Sequence, residues 1–143
     1  MPPDLKRLGE EKLKLLLGYC SELEELLAAF VVSSAHRRAL ERLIQLIVEC
    51  VADIGFELAA GLGWTNPGSS REAIERAREK GWYHEEAALN FERRYISLHN
   101  RIVHDYEKLD VARVRNEAPR LLAAARTLAS FLVEKMREES EEQ

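Results

Sequence analysis

The sequence is poor in the residues that most often announce a special chemistry. Cys20 and Cys50 are its only cysteines. Each sits within an apolar helical run, which points to buried, reduced thiols, and two cysteines without a second cluster make no zinc site. The four histidines show no metal-binding spacing such as His-x-x-x-His on one helix face, so no metal is expected. No stretch approaches the roughly 20 uninterrupted apolar residues of a membrane span. The opening MPPDLKRLGEEK lacks the apolar core of a signal peptide, and a cytoplasmic protein with no membrane partner is expected. Nor does one sign of charge dominate. Lys and Arg number 21 against 25 Asp and Glu, a net of −4, so any RNA site must be a local patch rather than a global field. Period-two alternation is also missing: valines and isoleucines fall at helical steps, which argues against strands.

What is present is a globular balance, 46% apolar and 32% charged. The 143 residues suit one domain over 1–143, with an acidic tail fraying from about 138 to 143. A first helix is predicted from about Leu5 to Val32, with Asp4 as N-cap and Leu5, Leu8, Leu16, Cys20, Leu23, Leu27 and Phe30 facing inward. A second, from about Ser34 to Leu62, buries Leu40, Leu43, Ile44, Ile47, Val51, Ile54 and Leu58. Gly61, Gly63, Asn66, Pro67 and Gly68 then break it. A short helix at about Arg71 to Lys80 opens on a capping box, Ser69-Ser70-Arg71-Glu72, and ends at Gly81. The next runs from about Glu85 to Tyr106, with Ala88, Phe91, Tyr95, Leu98, Ile102 and Asp105 on one side. The last follows Asp110, an N-cap, and reaches about Glu138; Val111, Val114, Ala118, Leu121, Leu122, Ala125, Leu128, Leu132 and Met136 make its stripe, and Pro119 is expected to bend it or mark a break. Long helices joined by short loops give an all-α, antiparallel four-to-five-helix bundle.

One segment concentrates chemistry: Leu98-His99-Asn100-Arg101-Ile102-Val103-His104-Asp105-Tyr106. Asn100 and His104 are four apart and share a helix face, and Arg101, three before His104, can reach the same side. His99 and Tyr106 are seven apart and lie nearly in line. On the second helix Arg38, Arg42, Gln45, Glu49 and Asp53 form a polar stripe. It reads as a solvated face, with the rival that Glu49 and Asp53 line a cleft and orient His104; Asp53, amid Val51, Ala52, Ile54 and Phe56, is the better candidate. His36 and His84, near helix starts, read as surface residues. Trp64, Trp82 and Tyr83 read as packing a loop down rather than stacking on bases.

Asn100, Val103, His104 and Tyr106 resemble the motif of the HepT-like branch of the HEPN superfamily, in which Arg-Asn, three residues, His, any residue and Tyr follow in order. The resemblance extends to ERLIQLIVECVADIG, the Pro67 loop, REAIERAREKG and the helix after EKLDVARV, about residues 34 to 137. One position departs: His99 stands where that family carries its catalytic Arg. Arg101 lies two residues further on, and Arg94, five before His99, matches only with a shift of a turn and a half.

The resemblance implies a toxin that is a metal-independent endoribonuclease with no cofactor of its own. It would cut RNA in a cleft between the two protomers of a homodimer. It also implies a minimal nucleotidyltransferase antitoxin, which uses ATP and Mg to place AMP on the motif's Tyr, here Tyr106. DNA is not an expected partner. Cleavage of this kind needs a proton acceptor, a proton donor and positive charge for the transition state. An imidazole, titrating at about 6.5, suits His104 to acid or base work. His99 cannot match Arg as a permanent cation. Either His99 acts as a second acid or base, with Asn100 beside it and Arg101 or Arg94 supplying charge, or the nuclease is impaired and the chain is a helical adaptor or nucleotide-binding partner of the nucleotidyltransferase. Residues five apart on a regular helix point about 140° apart, so His99 and His104 converge only across a dimer axis. Residues 91–130 hold eight Lys and Arg against five Asp and Glu, which suits a modest RNA-facing surface with salt-dependent affinity.

Overall fold

The computed structural model describes residues 1–29 and 33–141. Helices α1 (Pro3–Ala28), α2 (Ser34–Leu62), α3 (Ser70–Glu79), α4 (Glu85–Asn90), α5 (Ile96–His104) and α6 (Val111–Glu141) account for most of them, with a π-helical turn at Phe91–Tyr95 and a 3₁₀ turn at Tyr106–Lys108. No strand occurs among the described residues.

The long helices run as expected, and their ends show where local chemistry overrides pattern. α1 starts ahead of Asp4: Pro2 is the N-cap and no side chain caps it. Pro3, with no N–H to leave unpaired, takes the first helical position, and Asp4 is a first-turn acid instead of the cap. The helix stops at Ala28, short of the expected Val32, because Ala29 is extended; Phe30 lies outside the described residues. Leu8 is 40% exposed rather than inward. The buried stripe steps through Leu5, Gly9, Leu13, Leu16, Cys20 and Leu23, and Gly9 takes the inward place because Met136 of α6 packs on it. On α2 Ser33 caps the start by accepting from His36 N at 3.0 Å, and every residue expected in its stripe is buried. Gly63 and Gly81, at φ 72° and 80°, end α2 and close the turn after α3 in the left-handed region that favours glycine. Ser69 caps α3 through Glu72 N at 3.2 Å, while the Glu72 carboxylate takes Gly68 N at 2.7 Å, one residue earlier than a capping box predicts. Asp110 accepts from Ala112 N at 3.0 Å ahead of α6. Pro119 neither breaks nor ends that helix; it is exposed, so the carbonyl it leaves without a donor can reach water.

Pairs distant in sequence show the helix directions. Leu5 meets Gly61, Lys12 O accepts from Cys50 Sγ at 3.3 Å, and Leu26 O meets His36 Nε2 at 2.8 Å, so α1 and α2 are antiparallel. Gly9 with Met136 and Glu24 with Arg126 make α1 and α6 antiparallel too. α2 is the central helix, packing against α1, α3, α5 and α6. It meets α3 so closely at Gly55 that a Cβ there would lie 2.5 Å from Ala73 O. Tyr83 is buried and donates to Val51 O at 2.7 Å, and Trp82 packs on Trp64 with ring centroids 6.5 Å apart. These aromatics hold the loop to the core, as expected of them. Cys20 and Cys50 are buried and unbridged.

The fourth expected helix differs most. It is interrupted at Phe91–Tyr95, where Ile96 N bonds to Phe91 O across a wide turn, and it ends at His104, not Tyr106. A π turn carries one extra residue and is stabilised only where side chains compensate. Here α3 provides them. Arg71 Nε donates to Glu92 O at 2.9 Å, and Arg78 grips the buried Glu92 carboxylate with Nε at 2.8 Å and Nη2 at 3.2 Å. Phe91 and Tyr95 pack edge-on at 5.0 Å inside the turn. The turn fixes how α5 is rotated as it crosses α2. Asp105, expected on the apolar side of this helix, is exposed at its end.

Candidate functional site

α5 runs antiparallel to α2, and two polar clusters are strung along their seam. At the first, His99 is half-buried, its side chain 16% exposed. Its Nε2 lies 3.2 Å from Glu49 Oε1 and its Nδ1 3.4 Å from Asn100 Oδ1. Gln45 donates to the same Glu49 oxygen at 3.3 Å. A charged ring would donate to both oxygens; a neutral ring would serve one, with the Asn100 amide turned over for the other.

The second cluster lies two turns of α2 away. Tyr106, on the 3₁₀ turn beyond α5, is 45% exposed. Its hydroxyl accepts from Arg37 Nη2 at 2.6 Å and donates to Glu41 Oε1 at 3.4 Å. Arg37 Nε is 3.1 Å from the same carboxylate as an ion pair, without the alignment of a hydrogen bond. The guanidinium carbon sits 5.7 Å from the Tyr106 ring centroid. Glu41 is only 3% exposed. The Tyr106 hydroxyl first, and then Glu41, hold the Arg37 pKa above its ordinary value.

The polar face of α2 that meets α5 is therefore Arg37, Glu41, Gln45 and Glu49, at steps of four. Of the expected stripe, Arg38, Arg42 and Asp53 are exposed, as a solvated face would have them, while Gln45 and Glu49 are half-buried on the face toward α5. Arg37 and Glu41 are the residues that sequence reasoning missed. The signal was their spacing, an i,i+4 ion pair continuous with Gln45 and Glu49, but nothing local to them shows that Tyr106 lies opposite.

The other expected residues scatter. His104 is exposed at the last position of α5, and its side chain has no hydrogen bond among the described residues. It shares a face with exposed Asn100, while half-buried Arg101 sits one turn before it. His99 turns inward to α2 and His104 outward, so one chain does not bring the two rings together. Glu49 reaches His99 and not His104. Asp53, exposed, pairs with Lys12 of α1 at 3.6 Å. Arg94 lines a groove of about 310 Å³ with His84, Asn90, Tyr95 and Arg120 on the α6 side, away from His99. His36 and His84 hold helix starts: one meets Leu26 O, and the other accepts from Ala87 N at 3.2 Å. Among the described residues no three His, Cys, Asp or Glu side chains come together as a metal site.

The family model described as "Ribonuclease HepT-like" matches residues 11–132. Among solved structures, YutE from Bacillus subtilis, described as a cytosolic protein of unknown function, superposes with a TM-score of 0.77 at 18% identity, covering 91% of this chain and 92% of that one. A tri-AMPylated HEPN toxin of Shewanella oneidensis in complex with MNT antitoxin gives 0.74 at 16% identity, covering 93% and 99%. A toxin-antitoxin crystallised with AMP-PNP gives 0.72 at 15%, covering 92% and 99%. No curated protein sequence matches. At these identities the solved structures speak for the fold, and the match over residues 11–132 speaks for the family: the chain belongs to the HepT-like ribonuclease family.

Proposed function

We propose that this protein is the toxin half of a toxin–antitoxin pair, a metal-independent endoribonuclease silenced when a nucleotidyltransferase partner places AMP on Tyr106. The observation that carries this is the exposure, two residues apart at the end of α5, of an imidazole and a phenol: His104 and Tyr106. His104 takes or gives the proton in attack by a ribose 2′-hydroxyl on the adjoining phosphate. Asn100 shares its face, and Arg101, one turn earlier, supplies fixed charge for the transition state. His99 and His104 of one chain diverge, so a second protomer completes the groove, with position 99 flanking it as a place for charge rather than for proton transfer. AMP on Tyr106 sets negative charge and bulk beside His104 and repels RNA phosphates. The likeness to the AMPylated Shewanella oneidensis toxin with its MNT antitoxin supports a partner of that kind. For location, the structure supplies one fact: no helix among the described residues is long and apolar enough to cross a membrane.

The test is cleavage of cellular RNA by purified protein, without divalent metal, beside His104→Ala. Loss of cleavage by about 100-fold or more is expected of a general acid or base; unchanged cleavage removes His104 from the mechanism. A second reading has its own observation. His99 occupies the family's arginine position and is tied to the Glu49 carboxylate, which offsets any positive charge it carries. An impaired nuclease that only binds its nucleotidyltransferase would show partner binding with no cleavage in the unmutated protein.

A further inference from the structure

The Tyr106 oxygen is held in a way that anchoring alone does not require. It receives a hydrogen bond from Arg37 and sends its own proton toward Glu41. A phenol in water keeps its proton at neutral pH, its pKa being about 10. To act as a nucleophile it must give that proton up as the new bond forms, and its developing charge is favoured by a neighbouring cation. Both needs are met on this one atom. Glu41 is buried between Leu40 and Leu43 on α2, an environment that favours apolar side chains and where a carboxylate persists only with partners. Among the described residues its side-chain partners are Arg37 and Tyr106. Tyr106, 45% exposed as a residue, remains open to an incoming group.

We propose that Glu41 and Arg37 make Tyr106 a nucleophile, Glu41 taking the phenolic proton and Arg37 holding the oxygen and its developing charge, for attack on the α-phosphorus of a nucleoside triphosphate presented by the partner enzyme. This rests on Tyr106 being the modified residue, as proposed above. In the step, a bond forms between Tyr106 Oη and the α-phosphorus. The bond from that phosphorus to the bridging oxygen breaks, pyrophosphate leaves, and the proton passes to Glu41 Oε1. Arg37 then pairs with the non-bridging oxygens of the phosphodiester. The toxin chain thus supplies the base for its own modification, and the partner supplies the nucleotide and its metal.

Two arms test this. In the first, without any partner, the full-length protein is treated with an aryl sulfonyl fluoride: phenol oxygen attacks sulfur, the S–F bond breaks, fluoride leaves, and the proton again goes to Glu41. Labelling of Tyr106 is followed by peptide mass spectrometry, with half-buried Tyr19 as internal reference. Glu41→Gln should slow Tyr106 labelling at least tenfold and leave Tyr19 unchanged; Arg37→Lys should retain part of the rate that Arg37→Gln loses. Should Glu41→Gln not fold, the unmutated protein decides. A Tyr106 labelling rate nearly flat between about pH 6 and pH 9 supports a carboxylate base, and a tenfold rise per pH unit, the mark of a free phenolate, overturns it. In the second arm, AMP transfer to Tyr106 by the nucleotidyltransferase with ATP and Mg is timed in the complex. Glu41→Gln should slow it by about 100-fold or more, with complex formation unchanged. Equal rates for Glu41→Gln and the unmutated protein in both arms overturn the inference and leave Tyr106 as the modified residue. Activated labelling in the first arm with no AMP transfer in the unmutated complex overturns the assignment of the modification and leaves the activated phenol.

Discussion

His99 and Glu49, fifty residues apart in sequence, meet at 3.2 Å where α5 crosses α2. The carboxylate partners the one side chain whose identity departs from the family motif. A guanidinium in the same place would find that carboxylate within reach and would keep its charge at any physiological pH. The α2 side of the seam therefore already offers a counter-charge to a cation at position 99.

His99→Arg should for this reason raise RNA cleavage at least tenfold, since one added donor for transition-state charge is worth about 100-fold or more in well-placed cases. Initial rates on a defined RNA, with His99→Ala alongside, measure it. A rate at or below that of the unmutated protein would show that positive charge at position 99 is not what limits the reaction.

The grip of Arg78 on Glu92 is nearly water-free, with side chains 17% and 8% exposed. Arg78→Ala strands a buried carboxylate and should destabilise the fold by about 3 kcal/mol, read from urea unfolding midpoints. A loss no greater than that of a surface ion pair, under about 1 kcal/mol, would mean that Glu92 finds water or another partner.

Two glycines should respond with opposite signs. Gly18 faces open space, whereas a Cβ at Gly55 runs into Ala73 O. Gly18→Ala should stabilise α1 by about 0.5–1 kcal/mol. Gly55→Ala, forcing α2 and α3 apart, should cost about 1–3 kcal/mol. Thermal melts of both variants check the pair, and a stabilising Gly55→Ala would refute the close approach.

Burial pushes the Cys20 thiol up to about 11, with Arg126 opposing, and the Cys50 thiol up to about 12, with Lys12 opposing. Unfolded thiols ionise near 9.0, so above that pH the unfolded chain sheds protons that the folded chain still holds. The contribution to stability is whole below pH 9 and is lost as pH rises toward 11 and 12. Burial raises Tyr83 as well, in the same sense. Urea unfolding at about pH 8 and about pH 10.5 should show a smaller alkaline loss in Cys50→Ala than in the unmutated protein. Iodoacetamide at about pH 8 should leave both thiols of the native protein unlabelled.

How far the sequence could be read depended on how far each residue's partner lay from it. The stripes from Leu40 to Leu58 and from Val114 to Met136 are legible because every apolar residue repeats the helical period, and burial follows. The motif His104 to Tyr106 was legible as a pattern, and the exposure of both residues agrees with a site, though their roles stand as proposals. Leu8 misled because Leu5 and Leu8 satisfy the same spacing rule as Leu5 and Gly9, and only Met136 of α6 decides between them. Glu41 drew no notice because its partner Tyr106 lies 65 residues downstream, past the end of a helix. The wide turn at Phe91–Tyr95 was invisible: no glycine or proline marks it, and what holds it comes from Arg71 and Arg78 on a different helix.

That wide turn makes α3 a splint for a helix it scarcely touches. Each residue of an α-helix advances the azimuth by about 100°, so the surplus residue carried at Phe91–Tyr95 sets the phase of everything downstream. Were the turn to wind down to ordinary pitch with all its residues kept, His99 would swing about a quarter-turn off Glu49. Two arginines remote from His99 and Tyr106 thus act as the detent that keeps α5 in step.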